Sequence, residues 1–242
     1  MATKSLNLAG GPLIRAFDPW LSGYPSPGKP HQLLNDEERA WLATIASVVR
    51  FKKGETIYSF GEPATFLFNI ISGVVKIYLV ARKGEESIVC FHYPEDLFGL
   101  AEKGKYINSA KALTPLTAYA LPTAALRTRM VKDAALEFHF VAKLCHDLRE
   151  AQRHAFLLAR RHAIAKLAMF LQLQERLQSV AGQQAEIYLP MDRADIAGYI
   201  DLSPAAVSRG LRDLAARRVV KFRDRRHVKI VNRKVLEELA SE

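Results

Sequence analysis

Residues 192–220 decide the fold and read DRADIAGYIDLSPAAVSRGLRDLAARRVV. Asp192 is placed to cap a first helix, because an Asp side chain accepts hydrogen bonds from the free N–H groups of a first turn. The inward face of this helix would carry Ile196, Ala197 and Ile200. After a short turn, Ser203 can cap a second helix and Pro204 can take its first position, where the missing N–H costs nothing. The stretch therefore predicts two short helices joined by a tight turn.

The second helix, predicted over residues 203–215, has an apolar face and a face of small and basic residues. Its apolar spacing predicts burial of Val207, Leu211 and Leu214. The outward face would present Ala205, Ala206, Ser208, Arg209 and Arg212. Small residues followed by Arg allow a helix to approach base edges in the major groove of DNA. A generic helical hairpin would explain the apolar spacing, but not the Ser-Pro cap, the small exposed residues and the basic segment that follows.

The positive charge of the chain is concentrated near this stretch. The net charge is +10, and residues 191–234 hold twelve Lys and Arg against five Asp. Residues 217–231, RRVVKFRDRRHVKIV, predict a basic wing of two short strands. A concentrated basic surface is typical of phosphate binding, although membrane surfaces and acidic proteins also bind such surfaces. The predicted DNA-binding residues are Arg193, Ser203, Ala205, Ser208, Arg209, Arg212, Arg223, Arg225 and Arg226.

The N-terminal half has the residue pattern of a β structure. Residues 1–32 are rich in Pro and Gly and predict an irregular arm, which NDEERAWLATIASVV follows as a helix capped by Asn35. Residues 50–121 contain short apolar or alternating runs that are separated by turns with Gly, which favours an antiparallel sandwich or roll. We therefore expect an antiparallel β domain over residues 33–131, which the family resemblance described below identifies as a β-roll sensor domain.

A long helix over residues 132–160 is predicted next. Apolar residues alternate at spacings of three and four from Val141 to His162, as along the contact line of a coiled coil. The predicted interface residues are Val141, Leu144, Leu148, Ala151, Ala155 and Leu158. The helix could instead pack on the core of its own domain, but small Ala residues at successive positions favour two copies packed closely together. Residues 161–242 then form a winged helix-turn-helix domain.

Two parts of the chain resemble the Crp–Fnr family of bacterial transcription regulators. Residues 189–214, LPMDRADIAGYIDLSPAAVSRGLRDL, resemble its helix-turn-helix, closest to the Fnr and FixK branches. Residues 52–80 and 86–99 resemble its cyclic-nucleotide-type β-roll. The resemblance implies an α+β chain with an antiparallel β-roll, a long dimerisation helix and a C-terminal winged helix-turn-helix. It also implies a homodimer that binds a pseudo-palindromic operator in double-stranded DNA and contacts RNA polymerase.

The resemblance assigns roles to individual residues. Arg209 matches the arginine of the recognition helix that typically contacts guanine, Ser208 matches the serine before it in the Fnr branch, and Ser203 matches the N-cap. Ala205 departs from the family, because a glutamate that contacts the opposite strand usually stands there. The half-site is therefore expected to differ from the common family sequence or to tolerate variation at one base pair.

The effector is left open by the sequence. Asn108 and Ser109 stand where a cyclic-AMP-binding member has Arg-Ser, so the phosphate would lack its paired cation and cyclic AMP is disfavoured. An Fnr-type iron–sulfur cluster needs four thiolates, but the arm has no Cys and Tyr119 stands at the internal cluster position. Haem is a further candidate, with Cys90 and His92 on one face of a strand as axial ligands. His139, His146, His154 and His162 follow along the helical region.

Two other hypotheses concern the role of Cys145 and the absence of any ligand. Cys145 lies one residue after Leu144 on the long helix, so a redox role for its thiol is open. Alternatively, the protein takes no ligand and its abundance controls it. Ordinary reduced thiols and structural histidines are the favoured explanation of these residues, and the sequence assigns Cys90, His92 and Cys145 no definite role.

Enzymes and membrane proteins are disfavoured as classes. The chain has no phosphate-binding Gly loop, HExxH, GxSxG or metal-spaced Cys/His cluster. No apolar run approaches the ~20 residues that span a bilayer, and the start lacks the pattern of a signal peptide, so a cytoplasmic location is expected. The chief rival is a ligand-binding regulatory subunit whose β-roll docks on a partner enzyme, which would leave the basic wing and recognition helix unexplained.

Overall fold

The computed structural model describes residues 11–16, 31–80, 84–178 and 186–241. Most of the predicted arm lies outside these residues. So do Ala181 and Gly182, near which the sequence predicts the end of the helix that follows the long helix. Two short strands, β1 (Arg15–Ala16) and β2 (His31–Gln32), pair antiparallel at the start of the described chain. No helix among the described residues is long and apolar enough to cross a membrane.

The first helix, α1 (Asp36–Ile45), begins as predicted and ends early. Asn35 caps it in a capping box, in which the Asn35 side chain accepts from the N–H of Glu38 and the Glu38 carboxylate accepts from the N–H of Asn35. The prediction that this helix continues through ASVV was wrong. Val48 and Val49 belong to a strand, where they pair with Tyr119 and Ala118, and β-branched residues favour such a pleated surface.

The roll consists of two four-stranded antiparallel sheets. One has the order β3–β12–β5–β8, with β3 (Ser47–Phe51), β12 (Leu116–Pro122), β5 (Phe66–Ser72) and β8 (Leu97–Phe98). The other has the order β4–β11–β6–β7, with β4 (Thr56–Tyr58), β11 (Ser109–Ala112), β6 (Val75–Val80) and β7 (Glu86–His92). A small hairpin joins β9 (Ala101–Glu102) to β10 (Lys105–Tyr106). The expected antiparallel β-roll is confirmed.

Aromatic side chains fill the space between the two sheets. Tyr58 stacks on Tyr106 with ring centroids 3.8 Å apart, and Phe68 stacks on Phe98 at 5.3 Å. All four side chains are buried. Such pairs stabilise a core by about 0.5–1.5 kcal/mol beyond the effect of the buried area.

Three helices connect the roll to the C-terminal domain. They are α2 (Thr123–Met130), α3 (Ala134–Leu158) and α4 (Ala163–Gln178). The side chain of Asp133 caps α3 by accepting from the N–H of Leu136. Because α3 ends at Leu158, the predicted extension of its apolar line to His162 was wrong: His162 lies in the exposed link before α4.

The C-terminal domain has the element order that the sequence predicts. It contains β13 (Ile187–Tyr188), α5 (Arg193–Ile200), α6 (Pro204–Ala216), β14 (Val220–Phe222), β15 (His227–Ile230) and α7 (Arg233–Ser241). The strands form one antiparallel sheet with the order β13–β15–β14.

The C-terminal domain packs against the roll of the same chain through a buried ion cluster. Lys76 on β6 is 7% exposed, and its Nζ lies 2.6 Å from Oδ1 of Asp195 on α5. Lys76 also donates to Glu86 on β7, which accepts a second hydrogen bond from Lys111 at 3.1 Å. Close packing accompanies this cluster, since a Cβ on Gly198 would lie 3.0 Å from the carbonyl oxygen of Glu86. Strand and helix therefore approach each other directly around the ion pairs.

The cluster shifts the pKa values of two of its members. Burial lowers the pKa of Lys76, but the hydrogen bonds to Asp195 and Glu86 more than offset this, and the net pKa is raised. Burial likewise raises the pKa of Glu86, while its hydrogen bonds to Lys76 and Lys111 lower it below its ordinary value. Both shifts favour the charged forms of Lys76 and Glu86.

We expect Lys76→Met to lower the free energy of unfolding by about 3–5 kcal/mol, because it leaves the Asp195 carboxylate buried without its cation. Urea unfolding measured by circular dichroism gives the value.

The contribution of Glu86 to the free energy of unfolding is present above its ordinary pKa of 4.5. It is lost as the pH falls through the lowered pKa of Glu86 in the folded chain.

The matched control is Asp195→Asn, which keeps an acceptor for the cap of α5 but removes the charge. The double variant should be less destabilised than the sum of the two single variants, since the unpaired carboxylate is then absent. Strictly additive losses would contradict a direct interaction between the two side chains.

Candidate nucleic-acid interface

The first helix of the helix-turn-helix is fixed at both ends by local hydrogen bonds. The Asp192 side chain accepts from the N–H of Asp195 at 2.8 Å, and the Asp195 carboxylate accepts from the N–H of Asp192 at 3.4 Å. Asp201 ends the helix in the left-handed conformation, with φ 54° and ψ 60°. The N–H of Leu202 then donates to the carbonyl of Ala197 at 3.1 Å, which closes the turn.

The second helix begins at the predicted cap. Ser203 Oγ accepts from the N–H of Ala206 at 3.1 Å, and Pro204 occupies the first helical position. The predicted inward residues Val207, Leu211 and Leu214 are all buried in the core of the domain. Burial of a side chain of this size contributes about 1.5–3 kcal/mol, which anchors the helix while its other face stays free.

The outward face of α6 carries the predicted residues. Ala205, Arg209 and Arg212 are exposed, whereas Ser208 is half-buried and its hydroxyl donates to the carbonyl of Pro204 at 2.9 Å. Nε of Arg212 donates to the carbonyl of Ser208 at 3.3 Å. These two side chains are thus partly engaged with their own helix.

Arg209 is the guanidinium of α6 that stays available. Asp213 lies four residues after Arg209, where the two side chains could form an ion pair, but the Asp213 carboxylate pairs with Arg217 at 3.0 Å instead. Within the described part of the chain, Arg209 makes no hydrogen bond or ion pair. A planar guanidinium at this position can offer two parallel N–H groups to one acceptor edge.

The predicted wing is present, and its three arginines have different environments. Arg223 pairs with Glu186 at 2.7 Å, and Arg226 donates to the hydroxyl of Tyr188 at 3.5 Å. Arg225 is exposed at the tip, and its carbonyl accepts from Arg193 at 3.5 Å. Burial, and then the charge of Arg225, lower the pKa of Arg193. Arg225 is therefore the wing cation best placed to meet a phosphate.

Two further basic residues of the wing escaped the sequence interpretation. Lys221 and Lys229 lie opposite each other in the register of β14 and β15, and both are exposed. The signal was the alternation of Val220, Lys221 and Phe222 along the strand, which places every second side chain on the outer face. Like charges directly opposite each other destabilise a sheet, so a polyanion that screens them would bind favourably.

The predicted interface residues of α3 share one property in the protomer. Val141, Leu144, Leu148, Ala151, Ala155 and Leu158 are all exposed. Leu148 is 61% exposed, although α3 buries other residues of the same helix, such as Leu136 and Phe140, against the roll. In the protomer this line is therefore not buried in the core of its own domain, as we expect of residues that contact a second copy.

The residues tested for effectors have mainly structural contacts. Asn108 accepts from the hydroxyl of Tyr58 at 3.1 Å, and Ser109 accepts from the N–H of Phe60 at 3.0 Å. Tyr119 lies within β12, where burial raises its pKa. The side chains at the expected phosphate-binding position thus hold strands together and supply no cation.

Cys90 and His92 lie on the same face of β7, as alternation predicts. Sγ of Cys90 is 3.5 Å from Nε2 of His92, and Nδ1 of His92 is 3.6 Å from a carboxylate oxygen of Asp96. Burial lowers the pKa of His92, but Cys90 and Asp96 raise it more, to about 10. The two candidate haem ligands therefore contact each other, and haem stays a sequence-based hypothesis. Within the described residues, no group of three or more His, Cys, Asp and Glu could hold a metal ion.

Comparisons with known proteins agree with this architecture. Residues 48–133 match the model of the cyclic nucleotide-binding domain, and residues 165–239 match that of the Crp-like helix-turn-helix domain. The nitrogen fixation regulation protein FixK of Bradyrhizobium diazoefficiens is 33% identical over 66% of this chain and 68% of its own. FixK of Rhizobium meliloti is 29% identical over 80% of this chain and 87% of its own.

A solved structure shows the same likeness over a longer stretch. FixK2 from Bradyrhizobium japonicum superposes with a TM-score of 0.76 at 30% identity, covering 81% of this chain and 97% of its own. The family consists of transcription regulators, which confirms the prediction that the chain is not an enzyme. With a β-roll of the cyclic nucleotide-binding type, a helix-turn-helix and these relatives, the chain belongs to the Crp–Fnr family of transcription regulators.

Proposed function

We propose that this regulator binds a pseudo-palindromic operator as a homodimer, with one α6 helix in the major groove at each half-site. The observation that carries the proposal is the outward face of α6, on which Arg209 is exposed and makes no ion pair within the described chain. The opposite face of α6 is anchored in the core of the domain by Val207, Leu211 and Leu214. A rigid helix with a small leading residue, Ala205, can approach base edges closely.

Sequence discrimination in this proposal rests on Arg209. Arginine can donate two parallel hydrogen bonds to O6 and N7 of guanine, and the resulting preference is about 1–3 kcal/mol. Ala205 lies one helical turn earlier, four residues before Arg209. Since a methyl group cannot accept a hydrogen bond, Ala205 leaves the amino groups of neighbouring bases without a partner.

The other predicted residues position the domain. Arg225, together with Arg193, Arg212, Arg223 and Arg226, is assigned to the phosphates, whose contacts fix orientation and carry no sequence information. Ser203 and Ser208 are assigned to the DNA-binding surface of α6. Ser203 contributes as the N-cap of the helix, and Ser208 contributes as the small residue next to Arg209. Lys221 and Lys229 extend the positive surface of the wing.

The α3 helix is proposed as the dimer interface, with its exposed line facing the same line of a second copy. A two-fold dimer uses one patch twice, so the patch must be self-complementary, as an uncharged line of Val, Leu and Ala is. Small residues at Ala151 and Ala155 permit close approach of two helices. Pairing along α3 would place two recognition helices about one helical turn of DNA apart.

Two further parts of the proposal rest on the family alone. Exposed turns of the roll and the side of the wing are assigned to contact with RNA polymerase. A regulator that binds chromosomal DNA in bacteria acts in the cytoplasm, where we place this protein. The rival function, a regulatory subunit docked on an enzyme, gives no role to the exposed Arg209 and the basic wing.

We expect Arg209→Ala to weaken binding to the preferred site by about 1–3 kcal/mol and to erase discrimination at one guanine in each half-site. Ala205→Glu should sharpen discrimination at a neighbouring base pair, because Glu accepts from the amino group of cytosine. Selection from randomised duplexes, performed with wild type and both variants, measures the preference at every position.

The control for this selection is Ala216→Glu, which adds the same charge at the exposed C-terminal end of α6. It should enrich the wild-type half-site. Identical enrichment by wild type, Arg209→Ala and Ala205→Glu would show that the recognition helix is assigned wrongly.

Leu148→Lys should weaken dimerisation by about 100-fold, or ~3 kcal/mol, because two like charges would be desolvated across the interface. Sedimentation velocity over a dilution series measures the dimer constant, and circular dichroism shows whether the protomer remains folded. Phe60→Lys is the matched control, since Phe60 is 67% exposed but lies on the roll. A wild-type protein that sediments as a monomer at micromolar concentration would disprove the dimer.

Arg225→Ala should weaken binding to specific and non-specific duplexes alike and reduce the slope of log affinity against log salt by about 1. Fluorescence anisotropy at several salt concentrations gives the slope. Arg233→Ala serves as the control, because Arg233 lies in the same domain but is paired with Glu175 at 2.6 Å. Equal slopes for wild type and Arg225→Ala would argue against a phosphate contact at the wing tip.

A further inference from the structure

A cavity of about 260 Å³ lies where the roll, the long helix and the C-terminal domain meet. Its walls come from β7, α3, α4 and α5, which contribute Cys90, His154, Gln174 and Tyr199 among others. Tyr199 closes the wall on the DNA-binding side: its ring stacks on His154 at 4.0 Å, and its carbonyl lies 2.6 Å from His154 Nε2. The cavity is large enough for a small organic molecule and borders a thiol.

Cys90, His92 and Asp96 form a chain of contacts along one wall of this cavity. The thiol sulfur lies 3.5 Å from Nε2 of His92, and Nδ1 on the other side of the ring faces Asp96 at 3.6 Å. In this order the carboxylate orients the imidazole ring, and Nε2 of the ring is placed to hold the proton that the thiol gives up. A nucleophile, a base and a group that orients the base are the parts of an activated thiol.

A second observation, an unpaired buried donor in the cavity wall, favours a polar ligand in the same cavity. Gln174 is fully buried and lines the cavity, and its Oε1 accepts a hydrogen bond from the hydroxyl of Tyr93. Its Nε2 has no hydrogen-bond partner among the described residues. An unpaired buried donor costs about 1–3 kcal/mol, so a ligand with an acceptor oxygen would be stabilised there.

Cys145 provides an internal comparison. It is partly exposed like Cys90, and it too is a free thiol. Cys145 lies on α3, and it makes no hydrogen bond within the described chain. Both thiols are partly exposed in the protomer, and of the two only Cys90 contacts a base among the described residues. In the monomeric Leu148→Lys variant, Cys145 is free of the proposed dimer contact, so the two thiols are compared in that variant as well.

We propose that Cys90 is a peroxide-reactive thiol, activated by His92, and that the cavity admits small organic hydroperoxides to it. The thiol gives its proton to Nε2 of His92, and the sulfur attacks one peroxide oxygen. The S–O bond forms as the O–O bond breaks, so that sulfur loses two electrons and becomes a sulfenic acid. The departing alkoxide takes the proton from His92 and leaves as an alcohol.

The proposal is tested by treating the reduced protein with tert-butyl hydroperoxide in the presence of dimedone, which traps sulfenic acids. Mass spectrometry of the peptides then gives separate labelling rates for Cys90 and Cys145. We expect Cys90 to be labelled about tenfold faster or more, since a positioned base accelerates proton transfer by at least this factor. His92→Gln, which keeps a polar side chain but removes the base, should slow labelling of Cys90 by about tenfold and leave Cys145 unchanged.

Equal labelling of the two thiols in wild type would overturn the proposal, as would an unchanged rate at Cys90 in a folded His92→Gln variant. If that variant does not fold, the ratio of Cys90 to Cys145 in wild type decides alone. Cys145→Ser should label at Cys90 like wild type. Because operator binding is measured separately on reduced protein, a failure here leaves the proposed function untouched.

Discussion

The placement of the DNA-binding domain against the roll depends on one buried ion pair, which the apolar core shared by the two domains surrounds. Lys76 reaches out of the roll and meets Asp195, a residue that also completes the capping box of α5. The same carboxylate therefore fixes the start of a helix and the position of that helix against another domain. Moving two charges out of water costs more free energy than burying apolar side chains. The attraction between the charges offsets this cost only when their geometry is close to ideal. A pair of this kind selects an orientation more strongly than it adds stability.

The consequences reach the surface that we propose to face DNA. Because α5 is held against β7 and joined to α6 by the left-handed turn at Asp201, the outward face of α6 is oriented relative to the roll. The long helix α3 exposes its line of Val, Leu and Ala in the protomer. The roll, the proposed pairing helix and the proposed recognition helix are thus connected through the ion cluster and through one shared apolar core. Tyr199 and His154 connect α5 to α3 in the same region.

Local sequence rules were sufficient for the helix-turn-helix and insufficient for the contacts between domains. Ser203, Pro204 and Asp192 act within four residues of their own position, so their roles follow from propensity and capping alone. The contact of Lys76 with Asp195 joins residues 119 positions apart, and no local pattern announces it.

The end of α1 at Ile45 was missed for a related reason. Val48 and Val49 fit a helix by apolar content but pair with a strand that lies about 70 residues later. Side-chain partners were equally hidden: the sequence could not show that Asp213 pairs with Arg217 and leaves Arg209 available.

The methyl group at Ala205 has a consequence for how the regulator searches a genome. On the proposed binding mode, a base pair that no side chain distinguishes accepts any of the four bases. One such pair in each half-site enlarges the set of acceptable operators by about sixteenfold. The specificity of a regulator is best judged by its preference for operator over non-specific DNA, together with the number of competing sites in the genome. A small side chain at this position of the helix thus lowers sequence selectivity and increases the number of promoters that the protein can bind. Each promoter is then occupied according to the abundance of the protein.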